Sequence, residues 1–170
     1  MLIRTAEPDD LRALQHIERA AGRLFADIGM VEVAEDEPFP LDVLERYRAA
    51  GLAWVAVDAD DEPVGYIVAE VLDGNAHIEQ VSVHPDASRQ GIGRALVERV
   101  IDWATERDLR AVTLTTFADV AWNAPYYERL GFRTLDHGQL TPGLRRKRSE
   151  EAAHGLDKWP RVCMRRDLQL

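Results

Sequence analysis

The stretch from residue 78 to residue 117 limits the fold of this chain more than any other. It joins a strand-like run (78–83), a turn with two glycines one residue apart, a helix-like segment (91–107) and a β-branched run (111–117). A helix between two strands of one sheet returns the chain to the end from which it left, so these two strands are expected to be parallel. The other strand candidates are joined by short turns. Residues 52–57 and 64–72 flank Asp60-Asp61-Glu62-Pro63, and residues 75–83 follow Asp73-Gly74, so three successive strands read as antiparallel neighbours. The prediction is an α/β chain with a mixed, mostly antiparallel central sheet. Ahead of these strands come a short strand at 2–6, a helix at 9–25 with Leu11, Leu14, Ile17 and Ala21 in helical period and Asp9 as its cap, and a helix at 41–50 ended by Gly51. A helix at 123–130 stopped by Gly131, a strand from Phe132, a late helix at 144–155 and a final strand at 161–167 complete the order. No repeat or low-complexity linker interrupts it, and the length suits one domain, 1–170, around one sizeable core.

Between strand and helix, Ser88-Arg89-Gln90-Gly91-Ile92-Gly93-Arg94-Ala95 reads as an anion cradle. Glycines let the backbone approach a ligand closely, and the unpaired first N–H groups of the helix face it with the positive end of the dipole. Phosphate or pyrophosphate is the natural guest. A Walker loop fits poorly, because Arg94-Ala95 stand where Lys-Ser/Thr would reach the terminal phosphates and magnesium. A dinucleotide fingerprint fails too: Leu96 replaces its third glycine, and Asp108 precedes the next strand instead of following it.

The net charge is −9, and the basic charge is nearly all arginine, with Lys147 and Lys158 the lysines. An acidic surface repels nucleic acid and attracts cations, so no nucleic-acid partner is expected. No apolar run approaches the ~20 residues of a membrane span, and the chain does not open with a basic flank and an apolar stretch. A cytoplasmic chain without a membrane partner is expected. Cys163 alone excludes an internal disulfide and reads as a buried strand thiol. His16, His84, His137 and His154 have no metal-ligand spacing with one another or with Cys163, so no metal is expected.

Two motifs together resemble the GNAT superfamily of acetyl-coenzyme A dependent N-acetyltransferases. The first, Val83-His84-Pro85-Asp86-Ala87-Ser88-Arg89-Gln90-Gly91-Ile92-Gly93-Arg94, is similar to the family's apolar-x-Pro strand end and its Arg/Gln-x-x-Gly-x-Gly/Ala signature, with Ser88 at the leading position. The second, Asn123-Ala124-Pro125-Tyr126-Tyr127-Glu128-Arg129-Leu130-Gly131-Phe132, is similar to the family's late helix ending in Tyr-x-x-x-Gly-Phe. The likeness runs from Leu2 to about Asp136. It implies helices on both faces of the sheet and a parallel strand pair splayed at the acetyl-coenzyme A site, where the backbone of Val81 and Val83 would meet the pantetheine arm. It implies that Ser88, Arg89, Gln90, Gly91, Ile92, Gly93 and Arg94 hold the pyrophosphate, Ser88 chiefly through its backbone N–H. Asn123 would donate to the pantetheine arm or, equally, cap its helix. Tyr127 would hydrogen-bond the sulfur as general acid, with core packing the plainer role for it or for Tyr126.

The implied activity is acetyl transfer from acetyl-coenzyme A to a primary amine by direct attack. That chemistry needs a group to take the ammonium proton, donors to steady the oxyanion and an acid for the departing thiolate. Glu79, on the strand before the loop and on the face of Val81 and Val83, is the candidate base, directly or through a water. His77 shares that face as its rival. A Glu79→Gln change is expected to cost most at lower pH, where the amine is more fully protonated. In the family the connection after the first helix borders the acceptor, so Asp27, Glu32, Glu35, Asp36 and Glu37 point to a small cationic amine. A protein or peptide amine, and a noncatalytic acyl-coenzyme A sensor, are the alternatives. The run Arg145-Arg146-Lys147-Arg148 reads equally as a solvated helix face, and a homodimer is left open.

Overall fold

The computed structural model describes residues 1–169, with seven strands in the order β1-β2-β3-β4-β5-β7-β6. One pair, β4 with β5, is parallel, whereas the pairings β1–β2, β2–β3, β5–β7 and β6–β7 are antiparallel. The described residues form two compact units: residues 1–69 with 80–99, and residues 70–79 with those from 100 onward. The chain passes from one to the other within β3 (Pro63–Leu72), within β4 (Asn75–Val83) and within α4 (Ile92–Glu106).

The first unit also holds β1 (Leu2–Thr5), α1 (Leu11–Gly22), α2 (Val31–Ala34), α3 (Leu41–Ala49) and β2 (Ala53–Val57). Alternation along β3 explains its layers. Tyr66 and Val68 join a core with Leu14 and Ile17 of α1 and Leu44 of α3. Gly65 points the other way, where a Cβ would come within 3.0 Å of Ile92 and 3.3 Å of Leu96, so the glycine is what lets α4 lie close on that face. Helices therefore cover both faces here. The start of α1 differs from expectation. Neither Asp9 nor Asp10 caps it with a side chain, because a short 3₁₀ turn, Pro8–Asp10, precedes the helix; Asp10 closes that turn instead, its carboxylate accepting the Glu7 N–H at 2.7 Å and pairing with Arg4 at 2.8 Å.

The second unit is built on β5 (Ala111–Phe117), α5 (Ala124–Arg129), β6 (Arg133–Thr134), α6 (Pro142–Ala153) and β7 (Arg161–Asp167). β5 and β7 pair along seven residues, from Ala111 opposite Asp167 to Phe117 opposite Arg161. The β4–β5 ladder is much shorter, with Ala76 opposite Val112 and His77 opposite Thr113. Ile78 and Glu79 continue β4, and Leu114 and Thr115 continue β5, without pairing, so the parallel strands part after two residues. The β3–β4 turn is tight, since Asp73 and Gly74 both have positive φ (53° and 77°), the signature of a two-residue hairpin. From this turn Asp73 accepts the Gly143 N–H at 2.9 Å. A Cβ on Gly143 would lie 2.6 Å from Asp73 and Leu72, so only glycine lets α6 enter here. Leu144 then packs with Leu72, Leu135 and Cys163. No described helix is long and apolar enough to cross a membrane.

Candidate active site

In the first unit the expected anion cradle forms as strand, turn and helix start. Gly91 has φ +75° with nothing within 4 Å of where a Cβ would stand, and Arg89 has φ 63°. The first bond of α4 runs from Ala95 N–H to Gly91 O at 3.0 Å, so the amides of Ile92, Gly93 and Arg94 have no intrahelical acceptor. An α-helix start with free amides and an open glycine approach suits a phosphate. Ser88 departs from its expected role, because its N–H already donates to Pro85 O at 3.1 Å in the 3₁₀ turn Pro85–Ala87. Val81 and Val83 sit half-buried at the end of β4.

In the second unit a charged cluster gathers around Glu79, whose side chain is 15% exposed. Lys147 Nζ stands 2.6 Å from Glu79 Oε1 and 3.1 Å from Glu70 Oε1. The ammonium's approach to Glu79 is close but out of line, since the buried Oε1 has no aligned hydrogen-bond donor. Burial raises Glu79 to about 7, against the lowering by Lys147 and with the help of Glu70. Burial also pushes Glu70 upward, but its bonds to Glu79 and Lys147 outweigh this and hold it below the usual glutamate value. Glu79 is thus the carboxyl of the pair that titrates near neutrality, while Glu70 stays ionised. His77, fully buried, is lowered to about 4 by burial and then by Lys147. Its Nδ1 bonds Thr113 Oγ1 at 2.8 Å, and Nε2 lies 3.9 Å from Glu79 Oε1, which at neutral pH is a contact with a neutral ring and no ion pair. The rivals therefore separate by environment. Glu79 titrates where a base is useful, and His77 does not.

Sequence reasoning missed Glu70 and the part played by Lys147. An isolated carboxylate in the otherwise apolar run Ile67-Val68-Ala69-Glu70-Val71-Leu72 was a signal for the first. The basic run is not a uniformly solvated face, because Lys147 turns inward and Arg148 pairs with Glu151 at 2.9 Å and Asp157 at 2.8 Å. Glu151 also accepts from Thr115 of β5 and from Arg161.

On α5, Tyr127 is buried edge-on against Tyr126 and Phe132, with ring centroids 5.5 and 5.9 Å away. Burial and then Tyr126 hold its hydroxyl well above the usual tyrosine value, so it carries its proton. Tyr126 is only half-buried, under Arg129. Asn123 stands at the helix N-cap position but does not cap with its side chain. Its Oδ1 accepts instead from Thr116 Oγ1 at 2.8 Å and Phe117 N–H at 3.3 Å, which leaves its amide nitrogen as a donor. The acidic segment folds partly into α2, and Arg19 pairs with exposed Glu37 at 3.3 Å. Glu18, also unforeseen, accepts from the buried Tyr66 hydroxyl at 2.5 Å, and burial raises it. Cys163 is buried with its thiol pushed up to about 11 by burial, an inert group.

A mixed sheet whose one parallel pair parts early, with a glycine-opened helix start between those two strands in the chain, defines the N-acetyltransferase class. The chain belongs to the acetyltransferase (GNAT) family, whose sequence model matches residues 12–132. Enzymes of this family use acetyl-coenzyme A as acetyl donor. The ribosomal protein bS18-alanine N-acetyltransferase of Escherichia coli (strain K12) is 29% identical over 130 residues, 76% of this chain and 79% of that protein. The peptidyl-lysine N-acetyltransferase YjaB of the same organism is 26% identical over 99 residues, 58% of this chain and 61% of that one. The PaiA N-acetyltransferase of Thermoplasma acidophilum, solved in complex with coenzyme A, has the same fold, with a TM-score of 0.69 at 14% identity over 98% of both chains.

Proposed function

We propose that residues 1–170 act as one N-acetyltransferase domain that acetylates the primary amine of a small cationic acceptor, with Glu79 as base and Tyr127 as acid. The observation that carries this reading is the buried Glu79 carboxylate, titrating near 7, on β4 just past the last residue paired with β5. When bound, acetyl-coenzyme A supplies a thioester carbonyl and a thiolate leaving group. The free amides of Gly91, Ile92, Gly93 and Arg94, with the side chains of Arg89 and Arg94, would hold its pyrophosphate, Ser88 and Gln90 closing the turn. The backbone of Val81 and Val83 and the amide nitrogen of Asn123 would meet its pantetheine arm. Glu79 takes a proton from the acceptor ammonium, freeing the nitrogen lone pair for attack on the carbonyl carbon. As the C–S bond breaks, Tyr127 gives its hydroxyl proton to the sulfur.

The acceptor follows from charge. Glu35, Asp36 and Glu37 leave the segment after α1 strongly negative and exposed, which favours a cation. A second reading, a protein or peptide amine, draws on the acceptors in the names of the two relatives. A thiol-release assay over polyamines, amino-acid amides, an alanine-initiated peptide and a lysine peptide separates the two. Preference for a small polycation, with a KM that rises with salt and on joint neutralisation of Glu35, Asp36 and Glu37 while the acetyl-coenzyme A KM stays level, supports the first. Preference for either peptide replaces it with the second. Thermal shifts with acetyl-coenzyme A, but not with ATP or NAD, check the donor.

A further inference from the structure

We infer that Lys147 is a positioning residue for acetyl transfer: its ammonium, clamped between Glu70 and Glu79, fixes the Glu79 side chain and holds it in the ionised form that can accept a proton. The inference rests on Glu79 being the base. Its foundation is how α6 is set. Gly143 seats the first turn against Asp73 and Leu72, and Leu144 is buried in the core, so the register of the helix is locked. Residues three and seven along from Leu144 share its face, and these are Lys147 and Glu151. Lys147 reaches Glu79 of β4 and Glu70 of β3, while Glu151 reaches Thr115 of β5. One helix face thus spans the point where β4 and β5 stop pairing.

The charges around Glu79 come from three elements: Glu70 faces it from β3, His77 from its own strand and Lys147 from α6, while Glu151 of α6 and Asp73 of the β3–β4 turn act on the neighbouring His77. Thr113 of β5 contributes a hydroxyl to His77. With His77 neutral, Lys147 is the cation in contact with two carboxylates. A positive charge 2.6 Å away favours the ionised carboxylate, and the Glu70 charge disfavours it. Lys147 itself stays an ammonium: partial burial works against its charge, but its ion pairs with Glu79 and Glu70 outweigh that and hold it above the usual lysine value. It is therefore a fixed counter-charge and not an acceptor for the acetyl group.

The two neighbours must then move Glu79 in opposite directions, which a purely structural role would not do. The experiment is a carbon-detected NMR titration of the glutamate carboxyls, with Glu79 assigned from the Glu79→Gln spectrum, alongside the pH dependence of thiol release. One acceptor is used for all variants so that its own ionisation cancels. Lys147→Met should raise the Glu79 midpoint by about one to three pH units, Glu70→Gln should lower it, and Lys147→Arg should restore it nearly to wild type. The rate profiles should move in step, a tenfold loss at fixed pH below the midpoint for each unit of upward shift. An unmoved Glu79 midpoint in Lys147→Met overturns the proposal alone. A moved midpoint with an unmoved rate profile, in an enzyme whose Glu79→Gln variant keeps full activity, overturns the base reading and with it the part of Lys147 in transfer. Should Lys147→Met not fold, Glu70→Gln decides, since anything but a downward shift contradicts the charge balance.

Discussion

A carboxylate that titrates near 7 is a base only above that pH, and this changes what Glu79→Gln does. With the amine's protonation alone in mind, the loss is expected to be greatest at low pH. Burial of Glu79 reverses that expectation, because below about 7 the wild-type carboxyl already carries a proton and resembles the glutamine. The variant should lose about 10²- to 10⁴-fold in kcat/KM at pH 8 to 9, and the gap should narrow about tenfold per unit below pH 7. Parallel profiles from pH 5.5 to 9 would assign the base elsewhere. Tyr127→Phe is a milder change of shape, since it keeps the ring that packs on Tyr126 and Phe132. Stability should hold while kcat falls with KM nearly level, as fits a proton given only in the transition state. Full turnover by the folded variant would make Tyr127 a packing residue.

At the scale of elements, two turns carry predictions. Gly91 needs its left-handed backbone but has open space beside it, so Gly91→Val strains the turn by about 1–3 kcal/mol without a clash. Acetyl-coenzyme A affinity by calorimetry should drop in Gly91→Val more than in Gly93→Ala, because Gly93 lies inside α4 without a positive φ. Asp10, which closes the turn before α1, is nearly buried and answers both Glu7 N–H and Arg4. Asp10→Ala should cost about 1–3 kcal/mol in urea unfolding, and acetyl-coenzyme A binding should be unchanged. Such local devices were unevenly legible in the sequence. Strands 75–83, 111–117 and 161–167 emerge at the boundaries expected from their apolar or β-branched runs and turn signals. Helix α6 is displaced by two residues toward Pro142, where proline at the first position and the Gly143 contact, not apolar period, start it. Four-residue α2 and two-residue β6 have too few side chains to show any period. Glu79 was visible because the strand leads into the loop. Its partners Glu70 and Lys147 come from β3 and α6, far along the chain, and only tertiary packing brings them together.

For the whole molecule, pH acts through groups that pull against one another. Asp10, Glu151 and Asp167 are all held below their ordinary values, so the stability they supply is present at neutral pH and lost as the solution becomes strongly acid. The window from about 4.5 to 6.5 belongs to other groups, chiefly His77 and Glu79, with Glu18 acting in the same sense as Glu79. His77 falls from 6.5 to about 4 on folding, so there the unfolded chain binds more protons and stability rises with pH. Glu79 climbs from 4.5 to about 7, so the folded chain binds more protons and stability falls with pH. Each spans about 2.5 units, roughly 3 kcal/mol in opposite senses, so the two slopes nearly cancel. Urea unfolding of the wild type should then have a slope through this window that lies between those of the variants lacking one or the other group, with Glu18, also raised by burial, adding to the fall with pH. Removing either titration should expose the other. His77→Gln should lose stability as pH rises through this window, and Glu79→Gln should gain it. Variants that both kept the wild-type slope would mean that neither group changes its proton affinity on folding, and the electrostatic account of the site would fail with them.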